Sequence, residues 1–407
     1  MSKDCTIQDV FHRFYPSFES THSISPAQRK AAYHIMNCKT GAFGVNVSVC
    51  EDCGCISVHY NSCRDRCCPM CQEFPKEKWV DARREDILDA PYFHVVFTVP
   101  EELNPIIYSN QKFLYTALYH AASDTLSELA ADSKYLGTDI GYICILHTWG
   151  STMNFHPHIH AIVLGGGLDV KNHWKDNGKA FFLPIKVISK IFRGKYMAEL
   201  KQLWENDRLE FHGSAAPYKN YYTFKELLNT CYAKEWIPYC KKPFDGAESV
   251  IRYLGKYTHR IAISNYRIKD MTESTVTFSA KDYKNQGLWK EITISGEEFI
   301  RRFLMHVPPK RFVRIRHYGL LSSRNKNTKI TICRNILGCQ KYISRLKDID
   351  TPAMHHPKEK VSVTSSNGCR QRASRNRSTD PTTEKDSFNI ENNTAGQYLC
   401  PVGLHTF

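Results

Sequence analysis

Residues 140–167 read IGYICILHTWGSTMNFHPHIHAIVLGGG. Two apolar runs, 140–150 and 156–167, flank a short polar loop, which predicts the two strands of a β-hairpin. Residues two apart on a strand share a face. His158 and His160 therefore stand side by side, while Ile159 points the other way, into a core. His156 extends the same face, and His147 lies on the preceding strand. Two imidazoles fixed on a rigid strand, with further positions open, form a metal-ligand layout. His158 and His160 are the expected pair, His147 the expected third ligand and His156 the second choice. A single histidine would favour a core residue satisfied by backbone partners; four within residues 147–160 favour a metal.

Outward from the hairpin, helix and strand patterns alternate. A buried-strand run covers 92–100, an amphipathic helix is expected over 110–132, and a further helix over 187–207. A shorter helix is expected over 245–260, a second hairpin over 274–295, and a helix over 296–307 that Pro308-Pro309 ends. Toward the N-terminus, 5–37 reads as helical, with Ser25 as N-cap and Pro26 at the first helical position. Another helix is expected over 75–90.

The 245–260 helix carries Tyr253-Leu-Gly-Lys-Tyr257. At helical spacing the two phenols share a face, and Gly255 between them would let a ligand backbone approach. Taken alone, the pair reads as core aromatics; beside a histidine metal site it reads as chemistry. A tyrosine oxygen is a poor nucleophile at neutral pH because its pKa is near 10. A divalent cation on the histidines could orient a phosphodiester and stabilise its departing 3′ oxygen. Attack would then leave a tyrosine–phosphate ester that conserves the bond for rejoining. Two tyrosines permit two successive transfers. No GxxxxGK[ST] loop is present, so no nucleotide cofactor is expected.

Of the 16 cysteines, seven fall between Cys50 and Cys71. Cys50/Cys53 and Cys68/Cys71 form two CxxC turns, the arrangement that completes a tetrahedral, structural Zn2+ site. Cys63, Cys67 and Cys38 are possible additional or alternative ligands. No secretory signal or membrane-spanning run is read, so a reducing, cytoplasmic setting is expected. The net charge is +14, which favours a polyanionic partner such as nucleic acid. Arg64 and Arg66 beside the cysteines, Lys256 and Arg260 on the tyrosine helix, and Lys310, Arg311, Arg314 and Arg316 are candidate DNA contacts. Phe312 and Tyr318 interleave with the last group, a pattern suited to single strands.

Several blocks in order carry a resemblance: VCEDCGCISVHYNSCRDRCCPMCQ, YFHVVFTVPEELN, LHTWGSTMNFHPHIHAIVLGGG, KPFDGAESVIRYLGKYTHRIAISNYRI and EEFIRRFLMHVPPKRFVRIRHYGLLSSR. Over about residues 25–340 the chain resembles the rolling-circle transposases of the insertion-sequence-91 family, within the HUH endonuclease superfamily. The resemblance implies an α+β fold: an N-terminal cysteine-rich zinc domain, then a nuclease domain whose central antiparallel sheet is flanked by helices. It implies His158 and His160 as ligands of Mg2+ or Mn2+, Tyr253 and Tyr257 as nucleophiles, and a 5′-phosphotyrosine intermediate. It also implies a bacterial, nucleoid-associated protein acting on single-stranded ends of its own element, without a membrane partner. Cys67 departs from the pattern, standing where a histidine is expected before CPxC. The expected divisions are 1–85 for the zinc domain, 86–270 for the nuclease, 271–350 for a basic hairpin-and-helix region, and 351–407 for a largely disordered tail. A replication initiator or relaxase would share the chemistry; a zinc-ribbon regulator would share only the DNA binding.

Overall fold

The structure is a computed structural model that describes residues 5–49, 53–178, 183–236, 238–241, 244, 249–251, 253, 255, 261–282, 287–347 and 349. The N-terminal helices are α1 (Ile7–Thr21) and α2 (Pro26–Met36). Each begins at a reciprocal cap: Thr6 with Asp9, and Ser25 with Gln28, Pro26 opening the second helix. The short ribbon β1 (Val45–Val49) and β2 (Ile56–Tyr60) follows, then α3 (Glu73–Arg84).

The next part supplies β3 (Tyr92–Thr98), α4 (Asn104–Ser109), α5 (Gln111–Ala131), β4 (Asp139–Trp149) and β5 (Phe155–Leu168). After these come β6 (Trp174–Asp176), α6 (Ile185–Glu205), α7 (Tyr221–Ala233) and β7 (Tyr239–Lys241). Residues 249–251, 253 and 255 are helical (α8). The chain continues with β8 (Ile268–Met271), β9 (Thr275–Asp282), β10 (Leu288–Ser295), α9 (Gly296–Met305), β11 (Ile315–Gly319) and α10 (Lys329–Leu337).

The 140–167 hairpin is the middle of a six-stranded sheet ordered β11-β4-β5-β3-β7, with β6 added on β5. Every pairing in it is antiparallel. Strand alternation splits its side chains between two cores. Val95, Phe97, Tyr142, Cys144, Leu146, Ile159, Ala161 and Val163 pack on one side against α5 and α6. On the other side Tyr92, Ile143, Ile145, Ile162 and Leu164 pack with Leu88, with Val250 and Tyr253 of α8, and with Ile330 and Cys333 of α10. The histidines lie on this second side, under α8.

A separate core unites chain-distant parts. Ile7, Val10, Phe11 and Phe14 of α1 and Ile35 of α2 pack with Cys38, Cys67, Cys68 and Cys71. Val276, Phe278 and Ala280 of β9 and Phe299, Ile300 and Phe303 of α9 complete it. The hairpin and helix expected within 271–350 are present, and the region divides between the N-terminal core and the central sheet. Its hairpin and α9 close the N-terminal core, whereas β11 is an edge strand of the central sheet. The tail 351–407 lies outside the described residues. Among the described residues no helix is long and apolar enough to cross a membrane.

Gly319 ends β11 opposite Gly141, with φ +55°, and a Cβ there would meet the Ile140 carbonyl oxygen. Alanine at 319 combines a left-handed backbone penalty of about 1–2 kcal/mol with a steric clash of about 1–3 kcal/mol. We expect Gly319→Ala to lower stability by roughly 2–5 kcal/mol through these two effects, read as a lower midpoint in chemical denaturation.

Candidate active site

The hairpin register sets His147 directly opposite His158. With His160 two residues on, one ring nitrogen from each of His147, His158 and His160 lies within 4.8 Å of the others. Nδ1 of His158 is 2.6 Å from the carbonyl oxygen of His156. That oxygen can only accept, so Nδ1 carries the hydrogen and Nε2 presents its lone pair to the cluster. Burial holds His158 well below the usual histidine range, with the His156 and His147 charges adding to the effect, so the ring is neutral. Its Nε2 is 2.9 Å from Nε2 of His160. Adjacent nitrogens bound to one ion at about 2.1 Å would be about 3 Å apart. The ring nitrogens of His156 are not part of this trio; its backbone is what orients His158.

The hairpin tip is held by the C-terminal elements. Arg267 donates to the Ser151 carbonyl at 2.5 Å and Arg302 to the Thr152 carbonyl at 3.1 Å. Buried His306 donates from Nε2 to the Met153 carbonyl at 3.0 Å and accepts at Nδ1 from Thr148, 3.1 Å away. Burial pushes His306 down to about 4, consistent with one donating and one accepting nitrogen.

Tyr253, on α8, places its hydroxyl 3.1 Å from Nδ1 of His160. The same hydroxyl is 2.8 Å from Nε2 of His94 on β3. Tyr257, Lys256 and Arg260 lie outside the described residues. Gly255 has a structural neighbour: a Cβ there would sit 3.4 Å from Cγ2 of Val80 on α3. The glycine thus faces a helix, not the open approach expected for a ligand backbone. His94 was missed by sequence reasoning. It sits in an apolar strand run, and only the pairing of β3 with β5 brings it to His160. The available signal was parity: His94 shares a strand face with Val96, which pairs with His160.

The second cluster is Cys38, Cys63, Cys68 and Cys71, whose sulfurs lie within 4.8 Å of one another. Cys71 Sγ is 3.2 Å from that of Cys38 and 3.4 Å from that of Cys63. Four thiolates on a tetrahedral zinc at about 2.3 Å would be about 3.8 Å apart, so the cluster fits zinc. Hydrogen bonds from Cys38, Cys63 and Cys68 hold Cys71 below the usual thiol range. The cluster joins one of the two expected CxxC turns to two of the alternative ligands, Cys38 and Cys63. Cys68 and Cys71 are in the cluster, Cys53 is exposed and outside it, and Cys50 lies outside the described residues. Cys67 is buried beside the quartet, and burial pushes its thiol up to about 12.

The candidate DNA contacts divide. Arg64, Lys310 and Arg311 are exposed. Arg66 is engaged within the protein, donating to the carbonyls of Phe312, Pro308 and Pro309 at 2.6, 3.3 and 2.7 Å. It ties the cysteine segment to the strand entering the sheet. Arg314 is half-buried, and burial lowers its guanidinium below the usual arginine value. Arg316 lies 4.0 Å from the Tyr119 ring centre. Phe312 is buried and Tyr318 stacks on Tyr142 at 5.2 Å, so these aromatics serve the core and not a DNA strand. The reason is the pairing of β11 with β4, which draws the end of the basic stretch into the sheet.

Comparison with known proteins gives concordant matches. A family model described as "Putative transposase" matches residues 141–329, and one described as "Transposase zinc-binding domain" matches residues 10–99. The chain is similar to "Putative transposase y4qJ" of Sinorhizobium fredii, 40% identical over 334 residues, which are 82% of this chain and 84% of that protein. It is also similar to "Transposase for insertion sequence element IS801" of Pseudomonas savastanoi pv. phaseolicola, 28% identical over 296 residues, 71% of this chain and 69% of that protein. No solved structure matches.

Proposed function

Given that the chain belongs to the insertion-sequence-91 family of transposases, we propose that it nicks and rejoins single-stranded DNA at the ends of its own mobile element. In this reading Tyr253 is a nucleophile, and His147, His158 and His160 are ligands of a magnesium or manganese ion. The observation that carries it is the Tyr253 hydroxyl, 3.1 Å from Nδ1 of His160, whose Nε2 faces the histidine trio. The trio fits a divalent ion because its nitrogens converge and His158 presents a neutral lone pair. Once bound, such an ion would supply charge neutralisation at the scissile phosphate and at the departing oxygen.

The chain's own residues do the rest. β4 and β5 fix the imidazoles, and α8 brings the phenol to their edge. The phenolic oxygen loses its proton and forms a bond to phosphorus as the bond from phosphorus to the 3′ oxygen breaks. The 3′ oxygen takes up a proton, leaving a 5′-phosphotyrosine and a free 3′ hydroxyl. The reverse attack by a 3′ hydroxyl restores the tyrosine and joins the strand. One ester replaces another, so no nucleotide is consumed. Tyr257, four residues on, would serve the second transfer, and the cysteine quartet would hold a structural zinc. Exposed Arg64, Lys310 and Arg311 remain the DNA contacts we favour, with Lys256 and Arg260 retained from the sequence.

The test uses 5′- and 3′-labelled single-stranded oligonucleotides from the element's ends, with Mg2+ or Mn2+, resolved on denaturing gels. A metal-dependent covalent adduct is expected, reduced in Tyr253→Phe and absent when Tyr257→Phe is combined with it. Absence of an adduct from folded, zinc-loaded protein that still binds the DNA would favour a zinc-ribbon regulator instead. Persistence of the adduct in the double variant would remove the tyrosine assignment.

A further inference from the structure

Three polar atoms form a closed triangle at the edge of the histidine trio. Nε2 of His94 is 2.8 Å from Nδ1 of His160, and the Tyr253 oxygen is 2.8 Å from the first and 3.1 Å from the second. His94 is 2% exposed, so its partners there are protein groups. The rings are also packed: His94 and His160 stack at 5.0 Å between centres, and the Tyr253 ring is 4.7 Å from that of His94.

Valence restricts how the hydrogens of such a triangle can be shared. If Nε2 of His160 faces an ion, its Nδ1 carries the hydrogen and donates. A neutral imidazole nitrogen without hydrogen has one lone pair, whereas a hydroxyl both donates and accepts. If His160 donates to the phenol oxygen, the phenol can donate to His94, and both contacts are satisfied. We infer that His94 is a positioning residue for the nucleophile: its Nε2 accepts from the Tyr253 hydroxyl and turns a phenol lone pair toward the trio.

This inference rests on the proposed role of Tyr253, and its consequence is specific. Without an acceptor at 94 the hydroxyl can rotate, and reactive orientations become a minority. The loss belongs to the bonding step and not to DNA affinity. Metal retention depends on the trio and not on His94.

The experiment compares the full-length protein with its His94→Leu and His94→Gln variants. Leucine keeps bulk and removes the acceptor; glutamine restores an acceptor at similar reach. At saturating oligonucleotide, His94→Leu is expected to slow adduct formation about 10²-fold, with KM changed less than about 3-fold, and His94→Gln to recover most of the rate. A second readout needs no turnover. With 13Cζ-labelled tyrosine, the Tyr253 resonance, assigned by its loss in Tyr253→Phe, should shift in His94→Leu and return toward the parent position in His94→Gln. Parent-like rate and resonance in folded His94→Leu would overturn the inference while leaving the proposed function standing. Equal losses in both variants would also overturn it, since they indicate packing alone. If the parent protein forms no adduct, the proposed function fails, and the resonance still decides whether His94 holds the hydroxyl.

Discussion

Alanine at His158 or His160 is expected to abolish metal-dependent cleavage, slowing adduct formation by at least about 10³-fold. The estimate follows from the several kcal/mol that a bound cation contributes to a phosphoryl transition state, at about 1.4 kcal/mol per tenfold in rate. Each residue supplies one of the three nitrogens that converge among the described residues, and the opposite face of the sheet, packed on α5 and α6, is filled by apolar side chains. His156→Ala is the informative contrast. The structure uses the His156 carbonyl to orient His158, and alanine keeps that carbonyl. Its rate should stay within about 10-fold of the parent, a modest loss compared with removing a positioned group outright. Oligonucleotide binding and thermal melting separate loss of chemistry from loss of fold. Cleavage by His158→Ala with the parent's dependence on Mn2+ would refute the ligand assignment, as would a His156→Ala variant as inactive as His158→Ala.

Serine at Cys71 is expected to release zinc and unfold the N-terminal core. Structural zinc sites contribute about 10–16 kcal/mol of apparent binding energy in small domains, and that energy is folding energy. Cys71 contacts Cys38 and Cys63 directly, so its sulfur closes a link between the end of α2 and the CCPMC turn. The same core contains α1, β9 and α9, so the damage should reach residues far along the chain. Arg267, Arg302 and His306, which hold the histidine hairpin, lie in or beside that region. Cleavage should therefore fall with the zinc, through the packing that holds the histidine hairpin. Cys53→Ser, by contrast, should leave the melting of this core intact. The measurements are zinc content, limited proteolysis before residue 72, and the melting profile. Retention of zinc and a parent-like melt in Cys71→Ser would rule out the quartet.

Some of this organisation was legible in one dimension. The alternation around His158 and His160 placed both on one strand face, and the Ser25–Pro26 start of α2 formed as read. The long amphipathic stretches became α5 and α6 within a few residues of their expected ends. The 274–295 alternation became an antiparallel pair. These readings depend only on backbone periodicity, which neighbouring residues fix.

Other features needed the chain to close on itself. Cysteine spacing announced a metal, yet Cys38 joins the quartet and Cys53 does not, because packing of α2 against the CCPMC turn brings Cys38 to it. The basic stretch at 308–319 looked like a DNA-binding surface until β11 paired with β4 and Phe312 and Tyr318 joined the core on that side of the sheet. His94 is indistinguishable in sequence from a histidine in any buried strand; pairing between β3 and β5 and packing of α8 give it Tyr253 and His160. By itself the sequence determined the family resemblance, the histidine face and the presence of a cysteine metal site. The tertiary structure decided which cysteines cluster, which arginines remain at the surface and what touches the tyrosine. The physical reason is that short-range periodicity is set by local backbone geometry, whereas these contacts arise only when distant segments bury their apolar faces together.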